Sequence, residues 1–61
     1  MDISEFDKVW EIEYISDRVK RIREDVKAGR YESAMNYLQM IQDKAKAAAY
    51  LVSQQKANNS G

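Results

Sequence analysis

Phe6, Trp10, Tyr14 and Arg18 follow one another at intervals of four residues, with Arg21 close behind. On one helix this spacing stacks the side chains into a ladder. Aromatic rings interleaved with guanidinium groups suit two tasks. They dominate the hot spots of protein interfaces, and they can stack a nucleobase while binding its phosphate. The ladder is therefore expected to bind another protein through Phe6, Trp10, Tyr14, Arg18 and Arg21, with Glu11 and Glu13 as an acidic rim. The alternative is a nucleotide or RNA held by the same ladder together with Lys20 and Arg23. A third possibility places Phe6 and Trp10 in an oligomer interface, with Tyr14 lying over Arg18.

Bond-making chemistry has few candidates. The chain has no histidine and no cysteine, so it offers no Ser-His-Asp or Cys-His set and no imidazole or thiolate metal ligand. Asp7 and Glu11 lie one helical turn apart, as metal-binding carboxylates do, yet dinuclear carboxylate sites add Glu-x-x-His motifs that are missing here. Neither glycine-rich phosphate loop occurs. The expectation is a protein that is not an enzyme and uses no cofactor or metal.

Charge is balanced in total, ten basic residues against ten acidic, but unevenly placed. Residues 1–16 hold five acids against Lys8. Residues 17–30 hold Arg18, Lys20, Arg21, Arg23, Lys27 and Arg30 against Asp17, Glu24 and Asp25. An acidic start and a basic middle with no net excess suit docking to a protein better than wrapping a phosphate backbone. On a helical wheel the basic residues spread over more than half the circumference, and those near the end of the first helix complement its dipole.

These residues must be positioned by helices. The chain is 61 residues long, lacks proline, and has glycine only at 29 and 61, so nothing interrupts a helical reading on either side of residue 29. No segment alternates as a strand does. Ile12, Ile15, Val19, Ile22 and Val26 recur at steps of three and four, as do Tyr31, Ala34, Leu38, Ile41, Ala45, Ala48 and Val52. Two apolar seams joined across Gly29 predict an all-α fold, an antiparallel two-helix hairpin over residues 1–55. Helix 1 is expected over about 3–28, the turn at 29–30, helix 2 over about 31–55, and a disordered tail over 56–61. The N-terminal apolar residues run out of phase with the seam, since Phe6 points away from Ile15. One long helix with a wrapping stripe is expected there, because no breaker residue intervenes.

So short a chain without disulfides gains stability by association. Met35, Tyr37, Ala49 and Leu51 widen the second seam beyond what one neighbouring helix covers, and Ala45, Ala47, Ala48 and Ala49 permit close approach. Dimerisation into a four-helix bundle is expected, with Ile15, Val19, Ile22, Leu38, Ile41, Ala45 and Ala48 as its core. The longest apolar run, six residues from Ala47 to Val52, is too short for a membrane span or a signal-peptide core, so a cytoplasmic protein is expected.

Residues 28–34, Ala-Gly-Arg-Tyr-Glu-Ser-Ala, resemble the turn between the helices of a tetratricopeptide repeat. The likeness ends there: Ile22 and Ile41 stand where that repeat has glycine and alanine, and no proline closes the unit. In its dimensions the chain also resembles the Rop family, plasmid-encoded hairpins that dimerise into a four-helix bundle. Members of that family bind paired RNA loops on one face, and from the resemblance the assembly is carried over as an expectation and the RNA activity is not. The function expected is that of a small regulatory or inhibitory interaction protein, a homodimer that binds another protein through helix 1. A purely structural assembly subunit is a further alternative.

Overall fold

The computed structural model describes residues 2–59, and every element among them is helical. Helix α1 spans Ile3–Trp10, α2 spans Ile12–Lys27 and α3 spans Tyr31–Asn59, and both α1 and α2 pack against α3. Residue pairs between α2 and α3 run in opposite order along the two helices: Asp25 meets Ser33, Arg21 meets Tyr37 and Tyr14 meets Lys44. No helix of the described residues is long and apolar enough to cross a membrane.

The chain reverses at Gly29, whose φ of 77° lies in the left-handed region that glycine adopts without a steric penalty. The Arg30 amide donates to the Asp25 carbonyl at 2.7 Å and the Gly29 amide to the Val26 carbonyl at 3.1 Å. Together these close α2 with the Schellman pattern and satisfy carbonyls that the helix leaves free. At the other end, the Asp2 carboxylate accepts from the Ser4 amide at 3.1 Å and caps α1.

The single helix expected over 3–28 is interrupted. Glu11 adopts φ 50° and ψ 68°, the left-handed conformation, and separates α1 from α2. The cause lies in the phase of the apolar residues. In an unbroken helix Phe6 and Val9 would point away from α3 and Trp10 would lie roughly 90° round from the inward face. With the break all three are half-buried, on a helix whose packing partner is α3. A non-glycine residue in this conformation costs about 1–2 kcal/mol. Fully burying one large apolar side chain returns about 1.5–3 kcal/mol, and three of them are partly covered here, so burial wins. Glu11→Gly tests the break. Relief of the left-handed strain should make this variant melt above Glu11→Ala, which loses the same ion pair to Lys44, whereas glycine inside a continuous helix would leave it less stable than the alanine variant by about 1 kcal/mol. Thermal melts followed by circular dichroism distinguish the two signs.

At the C-terminal side, the disordered tail expected over 56–61 is corrected in part. Residues 56–59 continue α3, and residues 60 and 61 lie outside the described residues.

The inward faces are rotated from the seams read in the sequence. On α2 the covered residues are Tyr14, Ile15, Arg18, Ile22 and Asp25, and on α3 they include Ala34, Tyr37, Ile41, Lys44, Ala48, Leu51 and Gln55. Ile15, Ala34 and Ala48 are the buried apolar residues among those described. Ile12, Val19 and Val26 remain 58, 54 and 49% exposed, and Tyr31, Leu38, Ala45 and Val52 are exposed as well. Of the expected oligomer core, Ile15, Ile22, Ile41 and Ala48 therefore turn toward a helix of the same chain, while Val19, Leu38 and Ala45 do not.

Candidate interaction site

The break at Glu11 divides the aromatic ladder in two. Phe6 and Trp10 stay on α1 and stack on each other, with ring centroids 6.4 Å apart and planes inclined by 23°. Tyr14, Arg18 and Arg21 begin a second group on α2, beside Tyr37 and Lys44 of α3. The Arg18 guanidinium lies 3.6 Å from the Tyr14 ring centroid, the Lys44 ammonium 4.8 Å from the same centroid, and the Arg21 guanidinium 5.6 Å from that of Tyr37. Cations held this close to aromatic rings are attracted by the ring quadrupole, worth about 0.5–1 kcal/mol each at exposed sites. A nucleobase stacking on Tyr14 would have to compete with cations already bound to that ring.

Lys44 also pairs with the Glu11 carboxylate, which ties the α1–α2 joint to α3. Its aliphatic stem explains how a lysine occupies an inward position while its charge reaches the surface. Asp7 is exposed, and the Glu11 carboxylate is engaged by Lys44.

Asp17, Arg18, Lys20, Arg21 and Glu24 of α2 and Tyr37 of α3 enclose an open cleft of about 380 Å³. Lys20 is thus part of it, and Arg23, exposed on α2, is not among its lining residues. Arg18 is half-buried. Its Nε is fully covered and makes no hydrogen bond among the described residues.

Below the cleft sits a residue that the sequence reading passed over. Asp25 is fully buried, and its carboxylate accepts from Arg30 Nε at 2.8 Å and Ser33 Oγ at 2.6 Å, with Arg21 Nε 3.6 Å away. Arg30 and Ser33 follow the turn and Asp25 precedes it, so one carboxylate joins the end of α2 to the start of α3. The available signal was local: an acid, a glycine, an arginine and a hydroxyl within nine residues around a turn. The Ser33 hydroxyl does most to hold the Asp25 carboxyl below its ordinary value of 3.8. Loss of water around it pushes the other way, and the Arg30 hydrogen bond with the charges of Arg30 and Arg21 adds to the lowering.

A carboxyl with a lowered folded-state pKa stabilises the fold fully above its unfolded value, and that contribution disappears as the pH falls through the folded value. Acid should therefore destabilise the protein below pH 3.8 partly through Asp25. Asp25→Asn should lower the midpoint at pH 7 and flatten its dependence on acid pH. An unchanged acid limb in that variant, followed by thermal denaturation from pH 7 to pH 2, would show that Asp25 contributes nothing to it.

No protein-family model, no curated protein sequence and no solved structure matches this chain.

Proposed function

We propose that the chain is a non-enzymatic interaction protein, in which an antiparallel hairpin of α2 and α3 pairs with a second copy and presents an arginine-tyrosine face to another protein. The exposed stripe carries this reading. Ile12, Val19 and Val26 repeat every seven residues along α2, and Tyr31, Leu38, Ala45 and Val52 do so along α3. At about 100° per residue, each stripe lies roughly 80° around its helix from the residues that turn inward, and in the same rotational sense. Two antiparallel helices with the same offset present their stripes on the same side of the pair. A helix in a four-helix bundle has two neighbours about a right angle apart. One of those directions is filled here by the other helix of the chain, and the second is filled by a copy with the same stripe.

Stability supports the same arrangement. A chain whose buried apolar side chains are Ile15, Ala34 and Ala48 among those described has too little core to hold a fold of this length alone. Heptad apolar positions exposed on both helices match the self-complementary surface that a two-fold dimer requires.

Arg21 and Tyr14 are offset from the inward direction in the other rotational sense, and Arg18 and Tyr37 lie near the inward line beside them, so dimerisation through the stripe leaves this face accessible. Tyr14, Arg18, Arg21 and Tyr37 have the composition of a protein-binding hot spot. Binding there would regulate or inhibit the partner by occupying its surface. The expected contacts Phe6 and Trp10 are read instead as support for this face, since both are half-buried on α1, which packs against α3.

The experiment is partner capture with face-specific variants at two salt concentrations. Arg18→Gln with Arg21→Gln should abolish capture while leaving assembly intact, and capture by the unaltered protein should weaken only modestly with salt. Capture unaffected by the double variant contradicts this use of the face. Steep salt sensitivity together with nucleic acid in the captured material supports the nucleotide or RNA alternative instead.

A further inference from the structure

We propose that the cleft between Arg18 and Arg21 is a receptor for a single carboxylate, the side chain of an aspartate or glutamate on the protein partner. This rests on the reading of that face as a protein-binding surface. Arg18 is half-buried yet pairs with no carboxylate among the described residues. What holds it is the Tyr14 ring, 3.6 Å from its guanidinium carbon. Stacking occupies a flat face of the guanidinium, and because Arg18 Nε is covered, its two terminal Nη groups are the donors left to form a fork that fits a carboxylate. Arg21 stands one turn further along the same wall. It is oriented by Tyr37 at 5.6 Å and by Asp25 at 3.6 Å, a separation too long for a full hydrogen bond, so its donors are only partly engaged.

The charge of the lining selects the ligand. Arg18, Lys20 and Arg21 outnumber Asp17 and Glu24 by one, so the cleft is balanced by one added negative charge. Asp17 and Glu24 in the lining repel a run of phosphates, and the chain as a whole has no net charge to attract one. One carboxylate fits where a polyphosphate backbone does not, and an acidic side chain on a peptide supplies it with neighbouring groups that can lie on Tyr37.

Side-chain guanidinium NMR of the full chain tests the proposal with three probes: N-acetyl-glutamate N-methylamide, inorganic phosphate and a single-stranded RNA oligonucleotide. The glutamate probe should move the Arg18 and Arg21 resonances saturably and leave those of Arg23 and Arg30 in place. Arg18→Lys keeps the charge and loses the planar fork, and should weaken that binding by about tenfold. Glu24→Gln removes a repelling acid from an exposed position and should tighten it, a gain that misfolding cannot produce.

Uniform shifts across all arginines, equal affinity in Arg18→Lys, no gain in Glu24→Gln, or tighter binding of phosphate or RNA would each overturn the carboxylate receptor. The underlying reading fails differently. If the double arginine variant still captures the partner, the face itself is wrong, whatever the glutamate probe does. If capture is lost in that variant but the glutamate probe never binds, the face stands and the ligand class is wrong.

Discussion

Val19→Glu should dissociate the assembly and lower the thermal midpoint sharply at micromolar concentration, although Val19 is 54% exposed in the single chain. The two accounts of this position predict opposite signs. On a free surface the substitution is worth at most about 0.5 kcal/mol, and glutamate favours a helix more than β-branched valine does, so a monomer should become slightly more stable. Within a bundle the same carboxylate enters the apolar seam at the level of Leu38, at a cost of several kcal/mol. Lys20→Glu, on the outward side of α2, is the matched control and should leave assembly unchanged. Size-exclusion chromatography with thermal melts separates the outcomes, because only loss of association makes the midpoint fall while removing its dependence on concentration.

The second large effect is expected at Trp10. The ring is half-buried and stacked on Phe6, on a helix of eight residues that is too short to persist without tertiary support. Trp10→Ala should therefore release α1, remove the ellipticity contributed by its eight residues and cost about 1–3 kcal/mol, less than for a fully buried tryptophan. The Arg18–Tyr14 stack should survive, since α2 is anchored separately at Asp25 and Ile15. Unchanged helix content in that variant would mean that α1 does not depend on its contact with α3, and Trp10 would return to the candidates for direct partner contact.

Much of this architecture is legible in the residues. The absence of proline, the position of Gly29 and the two apolar repeats give the helical content and the place of the turn, and Ala34, Ile41 and Ala48 face inward as their spacing implies. The rotation of the inward face is less legible, because polarity patterning assigns charged residues to the surface. Asp25 turns inward because Arg30 and Ser33 satisfy its carboxylate at the turn. Arg18 and Lys44 do so because Tyr14 gives their cations a surface to rest on.

The break at Glu11 had a visible cause and an invisible position. The phase conflict between Phe6 and Ile15 can be read from spacing alone. Which residue absorbs it depends on where α1 meets α3, and glutamate carries no special preference for the left-handed region. For the site, Tyr14, Arg18 and Arg21 stood out by residue type and do gather in one place, whereas Tyr37 came from the other helix and was read only as width on a seam.

Sedimentation equilibrium tests the central claim, that the open stripe is covered by a second copy. For a chain of 7.1 kDa, the account predicts a reversible species of twice that mass at about 10 µM, with a thermal midpoint that rises with concentration. A species at the single-chain mass throughout, melting cooperatively at a midpoint independent of concentration, would contradict it.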